Sequence, residues 1–159
     1  MPAKRTRAQD AIALLKADHD KVRGLLSQLE KASERSVDRR QSLLAKIEAE
    51  IKVHTTIEEE IFYPAYRDAV KKKDDRELYQ EALEEHHVVD LVLPEIKGTD
   101  AGSEVFGAKA KVLKELIEHH ADEEEKDMFK RARRAMGATQ LRELGQRMAE
   151  RKKQLQSRG

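Results

Sequence analysis

The sequence predicts an all-α fold: an up-down-up-down antiparallel four-helix bundle with an additional C-terminal helix. Three observations predict it. Apolar residues recur at helical spacing along long stretches, and no stretch alternates with the period of a strand. The composition favours helix, with aromatics at 4%, no Trp and charged residues at 40%. The connections between stretches are short, which makes neighbouring helices antiparallel.

The first helix starts after Asp10, a good N-cap, and runs to about residue 34. Ile12, Leu15, His19, Val22, Leu26 and Leu29 share one of its faces. The second follows Asp38 and runs to about residue 72. Its inward stripe is Leu43, Leu44, Ile47, Ile51, His54, Glu58, Ile61 and Phe62. Pro64 lies well inside it, lacks a backbone donor and predicts a kink. The third helix starts near Asp74 or Asp75 and ends at Gly98, with Pro94 disturbing its last turn. Gly98-Thr99-Asp100-Ala101-Gly102 reads as a loop. The fourth helix follows Ser103 and stops at Gly137. A fifth begins near Thr139 and frays into Arg151-Lys152-Lys153; its Leu141, Leu144 and Met148 suit packing on the outside of the bundle. The expected organisation is a flexible N-terminus over 1–9, the bundle over 10–137, and a C-terminal helix and tail over 138–159.

The chain of 159 residues is one domain with room for a core. Its 32 basic and 31 acidic residues leave a net charge of +1, so global charge predicts neither a nucleic-acid nor a membrane partner. Cys is absent, which excludes disulfides, thiolate metal sites and thiol catalysis. No apolar run approaches the roughly 18 residues of a membrane span, and Met1-Pro2-Ala3-Lys4-Arg5 lacks the apolar stretch of a signal peptide. A soluble, cytoplasmic protein is expected, either a monomer or a weak homodimer.

His54-x-x-x-Glu58 and His120-x-x-x-Glu124 write one motif twice. Four residues of α-helix advance about 400° and rise about 6 Å, so His and Glu leave the same face one turn apart. His19 and His86 complete the set. Shifting the chain by 66 residues lays Ile51, His54, Glu58, Glu59 and Arg67 on Ile117, His120, Glu124, Glu125 and Arg133. A shift of 67 lays His19, Val22, Leu25, Leu26 and Leu29 on His86, Val89, Val92, Leu93 and Ile96. The first two helices echo in the next two, which implies a pseudo-two-fold axis. Neighbours on a helix point about 100° apart, so only one of each pair His86-His87 and His119-His120 can face the core. The repeat selects His86 and His120, leaving His87 and His119 at the rim.

Buried Glu and His are costly without partners, and two divalent cations would supply them. The expected metal ligands are His19, His54, Glu58, His86, His120 and Glu124, with Glu58 and Glu124 bridging. The mixed nitrogen and oxygen set suits two iron ions first, with manganese and zinc as secondary candidates. A lone His or a lone Glu run ordinarily belongs to a core contact or a solvated face. Six such residues fitting one repeat on four helices outweigh that reading. Asp90, four residues after His86, is a further candidate ligand, although its counterpart in the first half is Arg23. Glu125 is a candidate substitute for Glu124 as bridge. Tyr63 and Tyr66 read as packing residues or outer donors. A ferritin-type site needs two Glu-x-x-His motifs, and only Glu84-Glu85-His86-His87 supplies one. His-Glu-x-x-His, a Gly-rich phosphate loop and a Ser-centred elbow are all absent.

His19, His54-x-x-x-Glu58, His86 and His120-x-x-x-Glu124, in that order on four helices, resemble the hemerythrin-like, or HHE cation-binding, domain. Ala11-Ile12-Ala13-Leu14-Leu15-Lys16-Ala17-Asp18-His19, Glu58-Glu59-Glu60-Ile61-Phe62-Tyr63-Pro64 and Glu84-Glu85-His86-His87 carry the same likeness. It covers about residues 10 to 135. The resemblance implies an oxo- or hydroxo-bridged non-haem di-iron centre that takes a small diatomic or peroxide ligand. Oxygen-carrying members have a fifth His where this chain has Asp90, and place the last bridging carboxylate at the position of Glu125. Those departures turn the expectation from reversible oxygen carriage towards a di-iron protein reacting with or sensing oxygen, peroxide or nitric oxide in redox or iron homeostasis. Two alternatives stand beside it: a di-iron enzyme that disproportionates peroxide or reduces nitric oxide, and a non-catalytic helical interaction module using the fifth helix and the basic tail Arg147 to Lys153.

Overall fold

The computed structural model describes residues 9–158. Helix α1 (Ala11–Lys31) pairs with α2 (Val37–Ile57), which passes through a wide turn at Glu58–Phe62 into α3 (Tyr63–Ala69). Helix α4 (Lys73–Lys97) pairs with α5 (Glu104–Glu123), which passes through a second wide turn at Glu124–Met128 into α6 (Phe129–Ser157). Among the described residues there is no strand, and the expected four-helix arrangement is what forms. No described helix is long and apolar enough to cross a membrane.

Local chemistry sets the ends. The Asp10 carboxylate accepts from the Ala13 amide at 2.8 Å, and the Ser103 hydroxyl accepts from the Phe106 amide at 3.2 Å. Helix α1 stops earlier than expected because Ala32 turns extended (φ −69°, ψ 126°) and its amide bonds back to Gln28 and Leu29.

The kink expected at Pro64 takes the form of a wide turn. The Tyr63 amide donates to the Glu58 carbonyl, five residues back. Pro64 then falls in the first turn of α3, where a missing N–H costs little. Proline is not the general cause. The second wide turn makes the same five-residue bond, Phe129 amide to Glu124 carbonyl, with Lys130 in the place of Pro64. Both turns begin at the Glu of the repeated motif. Each adds one residue to a helical turn and re-aims every side chain beyond it.

Helix α6 bends at Gly137 (φ 77°, ψ 171°), a backbone setting that glycine tolerates. Leu141, Leu144 and Met148 of the returning arm do not lie on the outside of the bundle, as expected. They join Ile12, Leu15, Phe62 and Tyr63 in one buried cluster. The close approach depends on Gly145, where a Cβ would stand 2.7 Å from the Asp10 carbonyl carbon and 2.8 Å from the Ala11 nitrogen. Nor does the arm fray at Arg151-Lys152-Lys153. Helix continues to Ser157, Arg151 clasps Glu60 at 2.8 and 3.2 Å, and Lys152 pairs with Asp18.

A second apolar cluster, with Val22, Ile51, Val89 and Leu113, fills the opposite end. There Arg40 is buried and donates to the carbonyls of Ala32, Ala101 and Ser103 at 2.9 to 3.2 Å, tying together the two loops of that end. Between the clusters lies a belt of buried polar residues. Each helix crosses it once: Leu15, His19, Val22 on α1; Ile51, His54, Ile57 on α2; Ala82, His86, Val89 on α4; Leu113, then His120, on α5.

Candidate metal centre

The belt brings together His19, His54, Glu58, His86, His120 and Glu124, all buried. The imidazoles form two pairs, with ring centres 4.9 Å apart for His19 and His54 and 4.8 Å for His86 and His120. Each carboxylate stands between a histidine of its own half of the repeat and one of the other half. Glu58 Oε1 lies 2.8 Å from His54 Nε2 and 3.3 Å from His86 Nε2. Glu124 Oε1 lies 2.7 Å from His120 Nε2 and 3.5 Å from His19 Nε2. Two groups of donors could each hold an ion: His19, His54 and Glu124, and Glu58, His86 and His120.

The outer ring nitrogens follow one rule. His54 Nδ1 faces Asp18 at 2.9 Å and His120 Nδ1 faces Glu85 at 3.0 Å, both hydrogen bonds. His19 Nδ1 and His86 Nδ1 face Glu125 and Glu59 at 3.5 and 3.6 Å, in ion-pair range. A carboxylate behind Nδ1 keeps the proton there, so Nε2 presents its lone pair to the centre. Asp18 and Glu85 are related by the 67-residue shift, Glu59 and Glu125 by the 66-residue shift. Pseudo-symmetry therefore extends to the outer carboxylates.

Inside the belt it breaks at Tyr63. The Tyr63 hydroxyl enters the belt, 3.2 Å from His86 Nε2 and 3.5 Å from His120 Nε2, and donates to Glu124 Oε2 at 3.4 Å. The repeat puts Phe129 opposite it, stacked on His19 at 5.9 Å. Tyr66 points elsewhere, donating to the Asp75 carbonyl at 2.9 Å.

The electrostatics fit a cation. Burial would push His54 down, but Glu58 and Asp18 outweigh it and hold the imidazole up to about 10. His120 is raised well above its ordinary value, against burial, chiefly by Glu124, and His86 is raised chiefly by Glu58. Glu124 is held well below the carboxylate range, again against burial, by His120, Glu58 and His19. Without metal, protons on the histidines carry the positive charge these carboxylates demand. Even so, His19 Nε2, His54 Nε2, both Glu58 oxygens and Glu124 Oε1 are buried with no hydrogen bond. Orphans of this kind are expensive, and all of them aim at one place. Four imidazole nitrogens and two carboxylates are a donor set for iron, manganese or zinc.

The two further candidates lie elsewhere. Asp90 is exposed, because Val89 takes the inward position one residue before it, and it is a correction to the expected ligand list. Glu125 does not replace Glu124 in the belt. It binds Arg23 at 2.5 Å and stands behind His19. His87 and His119 are exposed at the rim. Sequence reading missed Asp18 and Glu85 as supports, although each directly precedes a belt histidine, His19 or His86, in the repeat.

A narrow cavity of about 40 Å³ adjoins the donors, lined by the four histidines with Val22, Ile51, Val89 and Ile117 among others. The chain is similar to known proteins. The solved structure of an HHE cation-binding domain-containing protein from Mycobacterium kansasii superposes with a TM-score of 0.81 at 29% identity, over 94% of this chain and 88% of that one. A protein of Nostoc sp. named DNA nickase is 24% identical over 145 residues, which is 91% of this chain but only 40% of the length of that protein. The family description "Hemerythrin HHE cation binding domain" matches residues 10–132, which include every residue of the belt. With that match, and with the repeated donors converging as its ligands would, the chain belongs to the hemerythrin HHE cation-binding domain family.

Proposed function

We propose that the protein holds two iron ions between the halves of its repeat and uses them to react with or sense oxygen, peroxide or nitric oxide, in redox or iron homeostasis. One observation carries the reading: Glu58 and Glu124 each lie between histidines of both halves, the position of a bridge. His19 and His54 would hold one ion, His86 and His120 the other. Iron so held supplies electron exchange between its ferrous and ferric states.

The rest is the work of this chain. Asp18 and Glu85 fix the tautomers of His54 and His120. Tyr63, buried beside two carboxylates, has its hydroxyl pushed well above the ordinary value, so it keeps its proton and donates to Glu124. That bond steadies the Glu124 carboxylate, whose Oε1 faces the histidines. The cavity admits something the size of a diatomic molecule or peroxide, and Val22, Ile51, Val89 and Ile117 discourage bulk water.

Iron analysis of protein from iron-supplemented cells, with a near-ultraviolet spectrum, tests the reading. About two iron per chain and an oxo-bridge band are expected. Less than one iron per chain with no such band counts against it. An enzymatic version, consuming peroxide or nitric oxide at the same centre, is supported by the cavity beside the donors. Oxygen evolution from peroxide that is lost in Glu58→Ala and Glu124→Ala would favour it, and unchanged turnover in both would refute it.

A further inference from the structure

The adjacent histidines write the ligand motif a second time, one residue out of step. His120-x-x-x-Glu124 faces inward, and His119-x-x-x-Glu123 faces solvent, with His119 66% exposed. His119 Nε2 lies 3.2 Å from Glu123 Oε1 and 3.7 Å from Glu85 Oε2. One donor atom from each of the three falls within 4.8 Å of the others. Two carboxylates thus converge on a single imidazole.

Glu85 joins this cluster to the centre. Its Oε1 accepts from His120 Nδ1 at 3.0 Å, its Oε2 faces His119, and the residue also lines the cavity beside the inner donors. The arrangement is not a by-product of the duplication. Val53 and Ile57 occupy the corresponding positions of the first half, so only one side of the bundle has it.

We propose that Glu85, His119 and Glu123 form an outer divalent-cation site that captures a metal ion from solvent and delivers it to the inner donors. One imidazole and two carboxylates leave the remaining positions to water, so the ion is held loosely and exchanges. Delivery replaces those waters with inner nitrogen and oxygen donors. The delivery role rests on the two-metal reading of the centre; the outer site itself does not.

Equilibrium dialysis of the metal-free 159-residue chain against cobalt(II) separates the two. The wild type is expected to bind three ions, one of them weakly. The double variant His119→Ala/Glu123→Gln, altered only at the surface, is expected to bind two. On rapid mixing, the visible band of the inner ions should grow about tenfold more slowly in the variant and reach the same final intensity. Two ions in both proteins, loaded at equal rates, would overturn the outer site. Loss of the third ion with an unchanged loading rate would keep the site and overturn delivery. A single wild-type ion that the double variant loses would keep the outer site and overturn the inner pair. No binding by the wild type would overturn both.

Discussion

Asp18 and Glu85 make the same contact from opposite halves of the repeat: each carboxylate sits behind Nδ1 of a belt histidine, at 2.9 Å from His54 and 3.0 Å from His120. Such a support sets which nitrogen is free and how the ring is aimed. Lys152, reaching across from α6, anchors Asp18 in turn. Asp18→Ala is therefore expected to keep the fold and weaken metal binding by about 10- to 100-fold. Competition with a chelator of known affinity measures it, and an unaltered affinity would remove Asp18 from the centre.

The metal-free protein should respond to alkaline pH. Glu58 and Asp18 lift His54 to about 10 against the effect of burial, and His86 and His120 move the same way. A histidine raised on folding stabilises fully below its unfolded value, near 6.5, and that contribution is lost as pH climbs through the folded value. The melting temperature should accordingly fall from about pH 6.5 to about 10. Glu124 works at the other end: its carboxyl is lowered, so its contribution exists above the unfolded value of 4.5 and is lost as pH falls through the folded one. Metal affinity should rise over the alkaline window, since imidazoles must shed protons to bind. An alkaline melting profile without slope would contradict this.

The helices, the repeat and the six central donors were legible because each rests on a short-range period. His54 and Glu58 are one turn apart in any α-helix. The wide turns at Glu58 and Glu124 were not legible, since a five-residue hydrogen bond leaves no composition signal and Pro64 marks only one of them. Asp90 was misplaced because four residues after His86 is a face on paper, yet Val89 fills the inward position. The outer carboxylates depend on how α1 meets α2 and α4 meets α5, which spacing along one helix does not encode. The burial of Leu141, Leu144 and Met148 likewise depends on the bend at Gly137 returning the arm to α1.

Two glycines should answer oppositely to alanine. At Gly145 a Cβ would strike backbone at Gln9, Asp10 and Ala11, which cannot yield as a side chain can. Gly145→Ala is expected to cost about 1–3 kcal/mol as α6 is pushed off α1. Gly24 lies inside α1 with nothing within 4 Å of an added Cβ, so Gly24→Ala should stabilise by about 0.5–1 kcal/mol. Urea titration of both variants checks the contrast; equal effects would mean that the seat of α6 on α1 is not tight.

Tyr63 and Phe129 pack alike and differ by one hydroxyl. The Tyr63 ring stacks on His86 at 5.3 Å and 27°, and Phe129 stacks on His19 at 5.9 Å and 8°. Phenylalanine already fits this setting in one half, so Tyr63→Phe should change stability by only about 1 kcal/mol and leave the metal content unchanged. What it removes is the donor that touches His86, His120 and Glu124 on one side alone. If the centre holds the two irons proposed for it, their unlike surroundings should give two resolved Mössbauer doublets in the wild type. In the variant the rings packed on the two histidine pairs become alike and the doublets should draw together. Spectra identical in the two proteins would mean that the Tyr63 hydroxyl leaves the ions unaffected and that their surroundings are set by the histidines and carboxylates alone.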